Sequence, residues 1–443
     1  MRVLIPTDSF PPVCGGSGWS THALASGLRS RGHDVVIVQP KPGTARGIRE
    51  RQYDDFRVVE VGAPAPDVPY VRNYFKNERL YPALSSVLAR MIRDERFDVV
   101  HGQHVLTCLP AIDAASRTGI PSVCTIRDYW PVCYWSDLLH TRNGAALCPA
   151  CSAGMMTRCI RPRGGALWPA ALPMIPYMRA NLARKRRGLA AADAIVAVSS
   201  RIAADLRARA PELASSRIEI IPNPVDVNGL RSAAVATPRP IARSYALYLG
   251  KLAPNKGTSH LVDIVERARL DWPLAIVGDG PDRGALESRA RQSGRDVRFV
   301  GWTDVAGTAA WLAHASMLIF PSRGPESLSR VLIEASALGV PIAAMNTGGT
   351  PDIVAHGQTG LLSSTPEALA DDVRRLRDDE GLRRRLGDGA ARRAERVFDT
   401  AVVIPQIEAL YQRLCSGSTA KREPRTVPHE PRASAANRGP RSA

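Results

Sequence analysis

With 443 residues, 44% of them hydrophobic and 23% charged, the chain has the balance of a globular protein and is long enough for two domains of roughly 200 residues each. No apolar run reaches the roughly 18 to 20 residues that a spanning helix needs, and the start MRVLIPTDSF lacks the basic, apolar and small-residue parts of a signal peptide, so a cytoplasmic protein is expected. The formal charge of +17, from 59 basic and 42 acidic residues, brings nucleic acid, anionic membrane and phosphorylated substrates into consideration.

In chain order, RVLIP reads as a short buried strand, TDSFPPVCGGSG as a loop carrying Gly15 and Gly16, and THALASGLRSRG as a helix stopped at Gly32. HDVVIVQP, FDVVHGQH, IPSVCTI and AAADAIVAVSS supply further strands, with LPAIDAASRTG as a helix between two of them. Strands alternating with helices imply a parallel sheet. After IEIIPNPVD comes RSAAVATPRPIARS, polar and proline-bearing, which reads as an interdomain linker. The alternation then restarts with YALYLG, LAIVGDG, VRFVGW, SMLIFPS and GVPIAAM. The expected fold class is α/β, with two doubly wound Rossmann-like domains, residues 1–235 and 236–415, facing across a cleft. Ligands bind such sheets beyond the carboxyl ends of the strands, so the loops there hold the candidate site.

Four of those loops in the second half belong together. YLGKLAPNKG carries Gly250, Lys251 and Lys256; VRFVGW carries Gly301; MNTGGTPD carries Gly348, Gly349 and Thr350; and SRGPESLSRVLIEASALG carries Glu326 and Glu334. In the last of these a helix is expected to start near Ser327 or Ser329 and to stop at Gly339. Its unpaired first amides, at Leu328, Ser329 and Arg330, suit a diphosphate. At about 1.5 Å of rise per residue the helical part alone separates the two glutamates by on the order of 8 Å, the scale of a pyrophosphate with its flanking sugars. One carboxylate can take ribose hydroxyls while the other meets the sugar.

On these motifs, in this order and together with RSRGHDVVIV, IPNPVD and GVPIAAMNTGGTPDIVAHGQTGLL, the chain resembles the retaining nucleotide-sugar glycosyltransferases of family 4, which have the GT-B fold. The resemblance covers roughly residues 1–415 and rests above all on the Glu-x7-Glu pattern of Glu326 and Glu334. It implies a hexosyltransferase that moves a sugar from a nucleoside diphosphate to a glycan or lipid-linked acceptor in cell-surface polysaccharide or glycolipid synthesis. It implies Lys251 and Lys256 on the diphosphate, Glu334 on the ribose, Glu326 facing the donor sugar, Gly348, Gly349 and Thr350 beside that sugar, the backbone near Gly301 by the nucleobase, and Gly15 and Gly16 in a closing loop. Catalysis in this family usually needs no metal cofactor, lysines standing in for the cation.

The chain departs from the family at three places. Lys251 replaces the usual arginine; Ser327, Leu328 and Ser329 replace a glycine-containing loop; and Arg127-Asp128 stands where the family has His-Asp against the donor sugar. Arg127 and Asp128 are therefore candidate sugar contacts, with Arg127 either replacing the imidazole as a hydrogen-bond donor or marking a different donor preference. The rival reading is a catalytically degenerate nucleotide-sugar-binding protein.

Two segments lie outside the motif set. Within an insert at residues 130–160, Cys133, Cys148, Cys151 and Cys159 are grouped so that either a structural zinc or plain reduced thiols fit the pattern. Beside it LWPAALPMIPYM runs toward Arg184, Lys185, Arg186 and Arg187, a mixture suited either to an anionic membrane surface or to packing against the first domain. Residues 416–443 hold six basic and two acidic residues and almost nothing apolar, so a disordered basic tail is expected. Neither basic segment carries a nucleic-acid recognition motif, which removes nucleic acid as an expected partner.

Overall fold

In a computed structural model the described residues are 1–67, 74–140 and 147–417; the expected tail lies outside them apart from its first two residues. Two sheets form. The first contains β1 (Arg2–Pro6), β2 (Asp34–Pro42), β3 (Gly47–Tyr53), β4 (Phe56–Ala63), β5 (Val99–Gln103), β6 (Ser122–Ile126), β7 (Ala194–Ala197) and β8 (Ile218–Ile220). Their order is β3-β4-β2-β1-β5-β6-β7-β8, all parallel except β3, which runs antiparallel to β4. The second contains β9 (Ala246–Leu249), β10 (Leu274–Val277), β11 (Val297–Gly301), β12 (Met317–Phe320), β13 (Ile342–Met345) and β14 (Leu361–Ser363), in the order β11-β10-β9-β12-β13-β14.

The second order is that of a doubly wound dinucleotide-binding sheet, and its topological switch point lies between β9 and β12. There the chain leaves two neighbouring strands toward opposite faces of the sheet, which opens a crevice at their carboxyl ends. In the first sheet the same switch lies between β1 and β5. Both sheets are covered by helices and their inner strands carry buried apolar runs: Val3, Leu4, Ile5, Leu247, Ile276, Leu318 and Ile319 are fully buried.

The antiparallel β3 was not expected from the sequence. GIRERQY has no apolar alternation, and β3 is held at the sheet edge by a two-residue turn in which Asp54 and Asp55 both take positive φ, 48° and 60°. Charge at an exposed edge strand also discourages pairing with another chain.

The expected boundaries of 1–235 and 236–415 need correction at both ends. The chain crosses between lobes near Val225, before the helix Val227–Val235, and crosses back near Phe398. The two crossings are tied together: Val225 N donates to Phe398 O at 2.9 Å and Thr400 N to Val225 O at 3.0 Å. The last helix, Thr400–Gly417, then packs on the first lobe, with Ile404 filling the space over Gly27 and Tyr411 buried against His101. Its apolar side chains find their partners in β1 and in helix Gly16–Ser30, a match no local pattern reveals.

Candidate active site

At the second switch point the loop after β9 folds into a short turn, Pro254–Lys256, closed by Gly257 at φ +66. A side chain on Gly257 would strike Pro321 O in the loop after β12, so the two loops touch backbone to backbone. Asn255 O accepts from both Arg323 N and Gly324 N, at 3.1 and 2.7 Å, and zips them together. The result brings Lys256 to Glu326: Nζ lies 2.6 Å from Oε1, and the Ser322 hydroxyl donates to the same oxygen. Glu326 is buried, 8% exposed, so its charge rests on these two partners. Lys251 is exposed, and its ammonium forms no ion pair among the described residues.

Beneath Glu326 runs the loop after β13. Gly348, at φ +54, presses on the Glu326 backbone so closely that a Cβ would lie 2.0 Å from its carbonyl oxygen. Gly349 N donates to that oxygen at 2.7 Å. These glycines are needed for backbone contact, and they hold the Glu326 peptide in place. Thr350 is buried and its hydroxyl has no partner.

The helix expected after Glu326 runs Arg330–Ala337 with Ser329 as its N-cap in extended conformation, and Gly339 follows at φ +69. The Ser329 hydroxyl makes no capping bond, which leaves the first amides available to an anion. Glu334 lies inside the helix, with Oε1 accepting from Arg330 Nε at 2.7 Å. Leu328 is buried below the turn. Gly301, at φ +84, ends β11 and accepts at its carbonyl from Gly278 N at 2.7 Å; the next residue, Trp302, is 71% exposed.

The first lobe closes on this site. The turn at Gly15 and Gly16 opens helix Gly16–Ser30, and Gly16 faces the Arg330 side chain. Tyr129 OH donates to Glu326 O at 3.3 Å, while Ser200 N and Oγ each donate to Asp352 at 2.6 Å. Arg127 is buried beside the cleft, bonded to Asn223, Gln103 and Thr21. Asp128 turns from it to accept from Trp130 N at 2.9 Å and stands 3.3 Å from His104 Nδ1. At the first switch point Asp8 lies 3.7 Å from the same His104, and burial pushes its carboxyl up to about 6. Sequence reading missed Asp8; its place straight after β1 was the available signal. His101 is internal, bonded to Tyr411 and Thr125, and burial brings it down to about 3, so it stays neutral.

Cys133, Cys148, Cys151 and Cys159 do come together, lining one small cavity with Trp135 and Met156. They form no disulfide, and among the described residues no group of three or more His, Cys, Asp or Glu side chains is arranged to hold a metal ion. Burial pushes Cys133 up to about 11 and Cys159 up to about 12, the state of packed thiols. The basic run 184–187 is largely consumed internally: Arg184 pairs with Glu78, Lys185 is buried, and Arg186 donates to Pro131 O at 2.8 Å. No described helix is long and apolar enough to cross a membrane.

Comparison with known proteins agrees with this geometry. Residues 14–228 match the family model described as Glycosyltransferase Family 4, and residues 243–379 the one described as Glycosyl transferases group 1. Over 431 residues the chain is 28% identical to a glycogen synthase of Mycobacterium tuberculosis, covering 93% of this chain and 94% of that one. Over 213 residues it is 34% identical to a phosphatidyl-myo-inositol mannosyltransferase of Mycobacterium leprae, covering 47% and 56%. Among solved structures it resembles a sucrose-phosphate synthase of Thermosynechococcus elongatus, with TM-score 0.70, 20% identity and coverage of 94% and 99%. It also resembles Anabaena HepE in complex with UDP, with TM-score 0.63, 17% identity and coverage of 94% and 100%. The chain belongs to the family 4 glycosyltransferases, has the GT-B fold and is a hexosyltransferase.

Proposed function

We propose that this enzyme transfers a sugar, with retention of configuration, from a nucleoside diphosphate to a hydroxyl of a glycan or lipid-linked acceptor in cell-surface polysaccharide or glycolipid synthesis. The observation that carries the reading is the Lys256–Glu326 pair beside an uncapped helix N-terminus at the switch point of the second sheet. An ammonium and free amides there suit a diphosphate. Lys256 would leave Glu326 for the phosphate oxygens, joined by Lys251 and the amides of Leu328, Ser329 and Arg330. Glu334 would take the ribose hydroxyls and Glu326 the sugar. Gly301 and the exposed Trp302 would border the nucleobase.

In this reading the acceptor hydroxyl attacks on the face the nucleotide leaves, and the departing phosphate oxygen takes its proton. The protein positions both partners and stabilises negative charge on the leaving group, a task the lysines perform without calling for a metal. The acceptor would enter at the first switch point, where Asp8, His104 and Asp128 offer hydroxyl partners. The protein would work in the cytoplasm, peripheral to an anionic membrane. The half-exposed apolar turn Gly165–Met174 and the exposed Arg158, Arg161, Arg179 and Arg187 support that placement.

A thermal-shift screen with UDP-, GDP- and ADP-sugars, followed by a transfer assay with the donor that stabilises, tests the function. One class of donor should raise the melting temperature and be turned over; a chain that none of them stabilises would sink the reading.

A further inference from the structure

Arg127 is 7% exposed, and every group it bonds is neutral: Nε donates to Asn223 Oδ1 at 2.8 Å, and Nη1 donates to Gln103 Oε1 and, at 3.5 Å, to Thr21 Oγ1. No described carboxylate pairs with it. From the second lobe Arg330 packs on the same helix, Gly16–Ser30, that Arg127 bonds: its side chain lies against Gly16 while Arg127 donates to Thr21, and burial above all, with the Arg330 charge adding to it, brings Arg127 down to about 10. Arg330 spends Nε on Glu334, while its buried Nη1 has no partner. A guanidinium without a counter-ion in the interior is costly, and the charge of a second one nearby adds to the cost. One planar oxyanion between them would satisfy Arg330 Nη1 and supply the missing charge.

We propose that Arg127 and Arg330 together bind a carboxylate on the transferred sugar, so that the preferred donor is a nucleoside diphosphate uronic acid. The inference rests on the donor reading above, in which Lys251, Lys256 and the helix amides already account for the diphosphate. The sugar's carboxylate and the donor's own phosphates share the chemistry a guanidinium pair recognises, so the test must tell them apart.

The experiment is isothermal titration of the full chain with UDP, UDP-glucose and UDP-glucuronate, and in parallel with GDP, GDP-mannose and GDP-mannuronate. For the nucleotide that binds, the uronate donor should bind about tenfold or more tighter than its neutral counterpart. Arg127→Gln should erase that preference and leave free nucleotide within about threefold of wild type, with Arg127→Lys restoring part of it. Equal affinity for neutral and uronate donors overturns the inference alone. So does an Arg127→Gln variant that loses nucleotide as fully as uronate, since the diphosphate is then the anion taken. Binding by neither nucleotide overturns the donor reading and this inference with it. If Arg127→Gln melts far below wild type, Arg127→Met, which keeps most of the apolar stem, carries the same comparison.

Discussion

Replacing Lys256 by methionine keeps most of the stem and removes the charge. Glu326, whose side chain is 10% exposed, would then keep only the Ser322 hydroxyl, while the lysine it loses was itself 31% exposed. Breaking one side of a buried pair costs about 3–5 kcal/mol, and an exposed pair is worth about 1 kcal/mol or less. A partner one-third in water puts the loss between them, at about 1.5–2.5 kcal/mol. For lobes of this size that lowers Tm by roughly 3–10 °C. Glu326→Gln removes the buried charge and should stay within about 1 kcal/mol of wild type. The double variant should recover part of the Lys256→Met loss, with a coupling of about 1–2 kcal/mol in a double-mutant cycle read by urea unfolding. Zero coupling, or a Lys256→Met protein as stable as wild type, would refute the reasoning. The same pair makes a functional prediction. Glu326→Gln frees the ammonium, so nucleoside diphosphate should bind at least as tightly as before while transfer falls by about 100-fold or more.

Asp8 gives a pH dependence of defined sign. Its carboxyl is raised from 3.8 to about 6 in the folded protein, so its stabilising protonation is fully present below about pH 3.8 and lost as pH rises through 6. Asp8→Asn should therefore be more stable than wild type at pH 7, by about 1–2 kcal/mol, with the gap narrowing toward pH 5 in urea titrations. Gly348→Ala forces a Cβ to 2.0 Å from the Glu326 carbonyl in a left-handed conformation; a loss of about 2–4 kcal/mol, seen as a lower Tm, is expected. The packed thiols of Cys133 and Cys159 should react slowly with iodoacetamide at pH 8 in the folded protein and rapidly in urea. Metal analysis separates the two readings of the four cysteines: the packing seen here predicts no stoichiometric zinc, and one zinc per chain would require the thiols to close on a common centre.

The parts of the site written within one loop were legible in the sequence. A helix start at Ser327 or Ser329, Gly339 as stop and Glu326 with Glu334 on either side of the turn follow from spacing alone, because helix punctuation and helical rise are local properties. Pairings across the sheet were not legible. Lys256 and Glu326 meet because β9 and β12 are neighbours, although 70 residues separate them in the chain. Arg127 draws its partners Gln103, Asn223 and Thr21 from three other elements, so its burial without a carboxylate was invisible. The two readings of the basic run 184–187 could not be separated for the same reason: composition counts charges, while the fold spends Arg184 on Glu78 and buries Lys185. The return of helix Thr400–Gly417 to the first lobe likewise depends on contacts such as Ile404 over Gly27 that lie far apart in sequence.

The central claim is that the crevice between β9 and β12 holds a nucleoside diphosphate with its ribose on Glu334. Titrating wild type and Glu334→Ala with the nucleoside diphosphate of the stabilising donor tests this most directly. One equivalent should bind wild type, and the folded variant should bind about 30-fold or more weaker. Equal binding by the two proteins would contradict the account.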